Sequence, residues 1–485
     1  MTYQVPKHID RKKIFLVNRS EIEGRLDPKM ALYNKSVQHA LYPMVKLKNL
    51  LLSKPQYGAN EAGIVRENNT QPRYIRITDI DENGLIDTNE LGATVANVEE
   101  KYILRKNDIL IARSGATVGK TYIHKGLPFT CLYAGYLIRF LVNPNKLLPE
   151  YLFAYTQLNP YKEWVNAIQR PSAQPNINAE EYQSIEIPLP DLSKQTEIVN
   201  YLNNGYLQKQ QKERQSETLL NSIDNYLLGK LGIELPQKES QLLQDRIFTV
   251  DFSEICNGRF DPKLYSISVK QLKQSLYMSP FDKQPLKNFI KSSCSGEWGK
   301  DESEEVDENK YTKCLVIRAT EFDNTYNLQL DNSRVKYRWI ENSKLSKMNI
   351  QTNDLLIEKS GGSEDQPVGR ISILTDEILK GNQIAYSNFI HKITVEGISP
   401  MYLYFYLKTM YNIKITDSMQ SQTNGIRNLI MQEYFDQTVV IPPLQKQQEI
   451  VDHIIAIRQQ AKALQEEGKA ILEQAKREVE GMIIG

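Results

Sequence analysis

The chain states most of its sequence twice. Gly24-Arg25-Leu26-Asp27-Pro28-Lys29 returns as Gly258-Arg259-Phe260-Asp261-Pro262-Lys263. Asn107-Asp108-Ile109-Leu110-Ile111 returns as Asn353-Asp354-Leu355-Leu356-Ile357, followed by Ser114-Gly115 and Ser360-Gly361. Leu192, Lys194, Gln195, Glu197, Ile198 and Val199 return as Leu444, Lys446, Gln447, Glu449, Ile450 and Val451. The offset between copies drifts from 234 at Gly24 to 246 at Asn107 and 251 at Pro149, then holds at 252 from Glu181-Tyr182 onward. Drift marks insertions in loops. A locked offset marks a segment where one inserted residue would turn every later side chain off its face, as in a continuous helix. Two similar bodies in one molecule suggest a ligand read at two places.

The locked segment has helical periodicity. In the second copy Ile450, Ile454, Ile457, Ala461, Leu464, Gly468, Ile471 and Ala475 alternate steps of four and three, the a/d seam of a coiled coil. The same register in the first copy gives Ile198, Leu202, Gly205, Lys209, Lys212, Ser216, Leu219 and Ile223, apolar at its ends and polar or small in the middle. Ile187-Pro188-Leu189-Pro190 and Ile441-Pro442-Pro443-Leu444 stop a strand and open each helix. These could be two amphipathic helices packed on separate domains, or an antiparallel pair forming a stalk. A length of roughly 37 residues, ~55 Å at 1.5 Å per residue, and small residues that admit a partner backbone and the stems of Lys209 and Lys212 favour the pair.

Ahead of each helix, short strand-like runs such as Tyr74-Ile75-Arg76-Ile77, Tyr136-Leu137-Ile138-Arg139-Phe140 and Leu315-Val316-Ile317-Arg318 are separated by Gly, Asn and Pro. Segments opening on Pro149 and Pro400 read as helices. The expected fold class is α+β: two globular domains related by a pseudo-twofold repeat, separated by two long antiparallel helices forming a coiled-coil spacer. The expected divisions are residues 1–190 and 247–442 for the globular domains, 191–246 for the first spacer helix with its linker, and 443–485 for the second. At 485 residues more than one core is required.

Composition narrows the class. With 40% hydrophobic and 25% charged residues the chain reads as a soluble globular protein, and no run approaches the ~20 apolar residues of a membrane span. The N-terminal residues carry charges without an apolar core, so no secretory signal is expected. Four cysteines without CxxC spacing and five scattered histidines predict free thiols in a reducing cytosol and no metal site. Net charge is +1, which neither demands nor excludes nucleic acid. Binding phosphate needs a basic face, not a basic protein.

No catalytic motif is complete. Ser114-Gly115-Ala116-Thr117-Val118-Gly119-Lys120-Thr121 lacks the first glycine of a phosphate-cradling loop, and its counterpart at Ser360 to Ile371 loses the Lys-Thr pair. Asn159-Pro160-Tyr161 lacks one proline of a methyltransferase motif and reads as a helix terminus; Glu308-Asn309-Lys310 lies in the acidic run Asp301 to Glu308 and has no second copy. The first string reads better as a turn presenting hydroxyls and cations. Arg113, Ser114 and Lys120, with Lys359, Ser360 and Arg370, are then candidates for contacting phosphates or base edges. The aligned amide-rich segments supply Arg170, Gln174 and Asn176 in one copy and Gln422, Asn424 and Arg427 in the other. Such segments are either solvated turns and caps or bidentate readers of purines. The Gly-Arg-x-Asp-Pro-Lys element reads as a docking turn.

Taken over nearly its whole length, the chain resembles the specificity subunit of a Type I restriction-modification system. The features that carry the likeness are the Gly24 to Lys29 element and its copy, the Asn-Asp-Ile/Leu-Leu-Ile…Ser-Gly…Val-Gly-Lys/Arg strings, the two proline-rich entries and the two long helices. The resemblance implies two target-recognition domains that each bind one half of a split, asymmetric site on double-stranded DNA. It also implies a non-catalytic cytoplasmic subunit with no cofactor of its own, which docks two modification (methyltransferase) subunits using S-adenosylmethionine and restriction subunits using ATP and Mg. Readers fixed on one stalk would place half-sites about one helical turn, ~10–10.5 bp, apart. The competing expectation is a protein-interaction scaffold built on the stalk without DNA binding.

Overall fold

A computed structural model describes residues 16, 28–36, 40–169, 175–236, 247–255, 259–323, 328–330, 335–363, 366–423 and 426–485. Of the duplicated docking element, Gly24 to Asp27 and Gly258 lie outside the described residues. The chain forms two compact units, Met1–Glu213 with Gln465–Gly485, and Arg214–Leu464. Each unit therefore holds one globular repeat together with part of both long helices.

In unit 1 the strands are β1 (Met44–Lys46), β2 (Gln56–Tyr57), β3 (Ile64–Val65), β4 (Arg73–Ile75), β5 (Ala93–Thr94), β6 (Ile109–Ala112), β7 (Thr121–Ile123), β8 (Cys131–Tyr133), β9 (Leu137–Phe140) and β10 (Glu186–Pro188). They make two four-stranded sheets, ordered β2-β9-β6-β7 and β3-β5-β4-β8, and a β1-β10 ladder. In unit 2 the strands are β11 (Asp282–Pro285), β12 (Ile290–Ser295), β13 (Lys300–Asp301), β14 (Tyr311–Ile317), β15 (Lys336–Glu341), β16 (Leu355–Glu358), β17 (Ser360–Gly362), β18 (Ile371–Ile373), β19 (Ile384–Tyr386), β20 (Ile390–Val395), β21 (Gln420–Thr423), β22 (Ile426–Leu429) and β23 (Thr438–Ile441). The sheets repeat in the same order: β12-β20-β16-β18, β13-β15-β14-β19 and a β11-β23 ladder. Even the parallel pair recurs, β4 with β8 and β14 with β19. Unit 2 also contains a three-stranded sheet, β17-β22-β21, whose counterpart in unit 1 falls partly outside the described residues.

The repeated strings owe their recurrence to this frame. Asn107 and Asn353 adopt left-handed backbone, φ 75° and 70°, a conformation that asparagine tolerates better than most side chains. The turn they make points the next residue inward. Asp108 accepts from the Arg105 N–H and pairs with Arg139 at 3.3 Å; Asp354 accepts from the Gln351 N–H and pairs with Lys392 at 2.9 Å. Gly119 and Gly369, the last glycines of the phosphate-loop-like strings, are also left-handed. A Cβ on Gly119 would meet Val165 at 2.8 Å. That string is a packing turn.

The long helices run Leu192–Lys230 and Leu444–Ile483. Gln195, fully buried, accepts from the Leu148 N–H and donates to Lys146 O and Pro190 O. Its copy Gln447 accepts from the Ser399 N–H and donates to Pro442 O. The helices opening on Pro149 and Pro400 contribute Tyr151 and Tyr402, which donate to Pro188 O and Val440 O at 2.8 and 2.7 Å. Each long helix is thereby clamped to the globule that precedes it.

The helices pair antiparallel within each unit. In unit 1 the Tyr201 hydroxyl donates to Glu478, Gly205 faces Ala475, and Lys212 pairs with Glu467 at 2.9 Å, so partners descend along one helix as they ascend the other. Gly468 sits against Lys209 and Lys212, where a Cβ would come within 3.2 Å of the Lys212 Cβ. In unit 2 Tyr226 stacks on His453 with ring centroids 4.0 Å apart, and Ile223 and Leu227 share a core with Ile450 and Ile454. Of the predicted seam, Ile198, Leu202, Ile223, Ile450 and Ile454 are buried, while Leu219, Ile457, Leu464 and Ile471 are partly exposed. Near the end of the second helix, Leu472 and Val479 are buried in the unit 1 core. A helix twists 3.6 residues per turn, so a strict 3.5 pattern drifts off the buried face.

Candidate nucleic-acid interface

In each unit one central strand runs into a cation-serine pair that is zipped to the amide-rich segment. β6 leads to Arg113-Ser114: Ser114 bridges Asn176, the Ile177 N–H donates to Arg113 O at 2.8 Å, and the Gly115 N–H donates to Pro175 O at 3.0 Å. β16 leads to Lys359-Ser360: Ser360 pairs with Asn428, its hydroxyl donating to the Asn428 side-chain oxygen, and the Leu429 N–H donates to Lys359 O at 2.8 Å. Segments far apart in sequence thus meet at one junction, and the junction recurs.

Around the junction the side chains differ. Arg113 lies 5.0 Å above the Tyr57 ring, and the Tyr57 hydroxyl accepts from the Ala179 N–H at 3.2 Å. Such a cation over an aromatic face leaves the guanidinium edge available as a donor. In unit 2 Ser295 takes the place of Tyr57. Lys359 Nζ donates to Ser295 Oγ at 2.9 Å, and the same oxygen lies 3.2 Å from His391 Nδ1. Register places His391 opposite Ile357, as Ile138 lies opposite Ile111, so a histidine occupies an isoleucine position of the first copy. Burial pushes the His391 imidazole down to about 4, and the neighbouring Lys359 charge pushes the same way.

Two of the predicted contact residues are turned inward to structural work. Lys120 Nζ donates to Ile80 O at 2.8 Å. Arg370, 5% exposed, donates to Phe322 O and Ala319 O at 2.9 Å and grips both oxygens of Glu358. The two cations tie the same turn in each copy. In unit 2 a glutamate at the position of Ala112 calls for a guanidinium, since a buried carboxylate needs a partner. The sequence cannot separate an inward from an outward cation at a turn.

Arg427 stands on β22, where its guanidinium lines a cavity and has no hydrogen-bond or ion-pair partner among the described residues. Gln422 lies opposite Arg427 in the ladder. Arg170, Gln174 and Asn424, and the Gln422 side chain, lie outside what is described. Sequence reasoning missed Tyr57, Ser295 and His391. They sit on strands distant from the motifs, and only sheet register brings them to the junction. The docking turn of unit 2 is held by Arg259, which donates to Ser418 O at 2.6 Å and pairs with Asp261 and Glu433.

Among the described residues no cluster of His, Cys, Asp and Glu converges to hold a metal. No helix there is long and apolar enough to cross a membrane. Cys131 and Cys314 are buried, and burial pushes both thiols up to about 11.

Each unit is an α+β globule that presents cations, hydroxyls and amides at one junction and is clamped to paired long helices, a duplicated design. The family described as Type I restriction modification DNA specificity domain matches residues 60–221 and 279–474, and the chain belongs to that family. It is 23% identical over 409 residues to the Type I restriction enzyme StySPI specificity subunit of Salmonella potsdam, covering 81% of this chain and 74% of that one. Against the EcoKI specificity subunit of Escherichia coli (strain K12) it is 22% identical over 379 residues, covering 77% and 72%. Among solved structures, the HsdS subunit from Thermoanaerobacter tengcongensis superposes with a TM-score of 0.35 at 14% identity, covering 91% of this chain and 95% of that one.

Proposed function

We propose that this chain is the DNA-reading subunit of a Type I restriction-modification complex, recognising a bipartite, asymmetric site with one unit per half-site. The observation that carries this reading is the repeated junction. The frame around Ser114-Asn176 and Ser360-Asn428 is common to both units, while the groups set in it differ: Arg113 on Tyr57 in one, Lys359 with Ser295 and His391 in the other. Direct readout needs donors and acceptors in fixed positions, and unlike sets fit unlike sequences. On this reading the chain is not itself catalytic, acts in the cytoplasm and binds no cofactor. Two modification subunits supply S-adenosylmethionine chemistry, and restriction subunits supply ATP- and Mg-dependent cleavage.

The test is to replace residues 1–190 with the corresponding part of a relative and map methylated adenines in host DNA. One half of the methylated site should change and the other persist; a change in both halves would overturn the modular reading. Binding to duplex DNA should also weaken steeply with salt as phosphate contacts are lost. Absent or salt-insensitive binding, with and without modification subunits, would leave only a protein-interaction scaffold.

A further inference from the structure

Beside the β21-β22 hairpin lies a cavity of about 380 Å³, walled by residues 259–262 on one side and by Asp417, Gln420, Ser421 and Arg427 on the other. Its cations are unequal. Arg259 holds Ser418 O, Asp261 and Glu433, with its Nε and Nη1 lacking a hydrogen-bond partner; Arg427 has no hydrogen-bond or ion-pair partner among the described residues. Gln420 is more than nine-tenths buried, its amide nitrogen held by Val368 O and Thr416 O, while its Oε1 has no partner. A buried acceptor without a partner is destabilising, so this wall is unsatisfied in the free protein. Phe260, 84% exposed, adds an apolar plane.

The chemistry of the wall selects among ligands. The carboxylates of Asp261 and Asp417 offset the guanidiniums of Arg259 and Arg427, so the wall has no net charge to draw a phosphate, and the density of polar groups disfavours an apolar peptide. A neutral, planar group with mixed donors and acceptors fits, which is the edge of a base pair. In the major groove a G·C pair offers N7 and O6 acceptors on guanine to a guanidinium and an N4 amino donor on cytosine to a carboxylate or amide oxygen. The contrast between copies points the same way. The Ser114-Asn176 and Ser360-Asn428 pairings align Pro175 with Arg427, and Pro175 has no side-chain donor. Identical protein partners docking on both copies would need matching walls. A cation at this position in one copy and a proline in the other suits a ligand whose two halves differ.

We propose that Arg427 is the residue by which unit 2 selects a guanine of its half-site, at the mouth of this cavity. The inference rests on the DNA-reading function proposed above. Its test uses the chain in complex with its modification subunits and a library of randomised duplexes; the wild-type complex defines the site. Arg427→Ala should lose discrimination at one G·C position of one half-site by roughly 5- to 150-fold, with the other half-site unchanged. Arg427→Lys keeps the charge without the bidentate fork and should lose discrimination while holding affinity at low salt, which separates readout from a folding defect. Three outcomes overturn the proposal: unchanged preference, uniform weakening on all sequences with a salt slope shallower by about one, or lost subunit binding with preference intact. A wild-type complex without any sequence preference would instead sink the proposed function itself.

Discussion

The two units share a frame and differ in where they keep their charge. In unit 1 the central pair Asp108-Arg139 is partly wetted, Arg139 stacking on the Tyr133 ring at 5.4 Å and reaching Lys101 O and Ile103 O. In unit 2 the counterpart Asp354-Lys392 is sealed, with side chains 0% and 1% exposed, and a second sealed pair, Glu358-Arg370, lies nearby. Unit 1 breaks its proline-initiated helix into Pro149–Thr156 and Asn159–Ile168, whereas unit 2 runs Pro400–Asn412 without a break. Among the described residues, unit 1 has a bridge at Ser114 and Asn176 where unit 2 builds the sheet β17-β22-β21. Apolar registry and the left-handed turn residues are held in common. The polar contents diverge, as two readers of unlike half-sites would require under the proposed function.

The sealed pair gives the largest expected difference between copies. Lys392→Met strands Asp354 in the interior and is expected to cost unit 2 about 3–5 kcal/mol, whereas Arg139→Met removes a cation that is itself 13% exposed and should cost roughly 1–3 kcal/mol. Denaturant unfolding of the two variants measures both, and equal losses would break the comparison. A smaller effect belongs to unit 1 alone. Gly205 faces Ala475 so closely that a Cβ would lie 2.7 Å away, so Gly205→Leu should destabilise unit 1 by about 1–3 kcal/mol through overpacking. Hydrogen exchange should show protection lost in that unit while unit 2 keeps its own; loss spread over both would count against local packing.

His391 sharpens the comparison through pH. The unfolded chain takes up a proton near 6.5, but the folded imidazole stays neutral down to about 4. In that window the unfolded state binds more protons, so stability falls as pH drops through it. His391→Ile, which installs the residue of the first copy, should remove about 1–2 kcal/mol of that acid loss, less than the full shift because the ring is partly solvated. Melting of both proteins across the window tests this, and parallel curves would deny the histidine any role. The smallest effect is expected on the helix pair. Lys212-Glu467 is partly exposed, and Lys212→Ala should change stability by less than about 1 kcal/mol; a larger loss in a thermal melt would show that charge, not small-residue packing, holds the pair.

Much of this architecture is legible in the sequence because it depends on local rules. Pro149 and Pro400 open helices, Asn107 and Asn353 mark left-handed turns, and the locked offset from Glu181 onward announces the long helices. The buried ends of the seam follow from side-chain type alone. The candidate interface is legible only in outline. Lys120 and Arg370 carry the same charge as Arg113 and Arg427, and nothing in their neighbours says that the first two point at backbone carbonyls. Ser295 and His391 meet across 96 residues of sequence, with no motif at either.

By itself the sequence determined that there are two copies of one folding unit, that each ends in a long helix, and where the turns fall, because periodicity, proline and glycine act over a few residues. The tertiary structure decided which polar side chains are available to a ligand. Availability is a competition between solvent, backbone carbonyls and buried carboxylates for each donor, and its outcome depends on what the fold brings alongside. Arg370 loses that competition to Glu358 and two carbonyls, while Arg427 on β22, beside a cavity, is claimed by no side chain or carbonyl among the described residues.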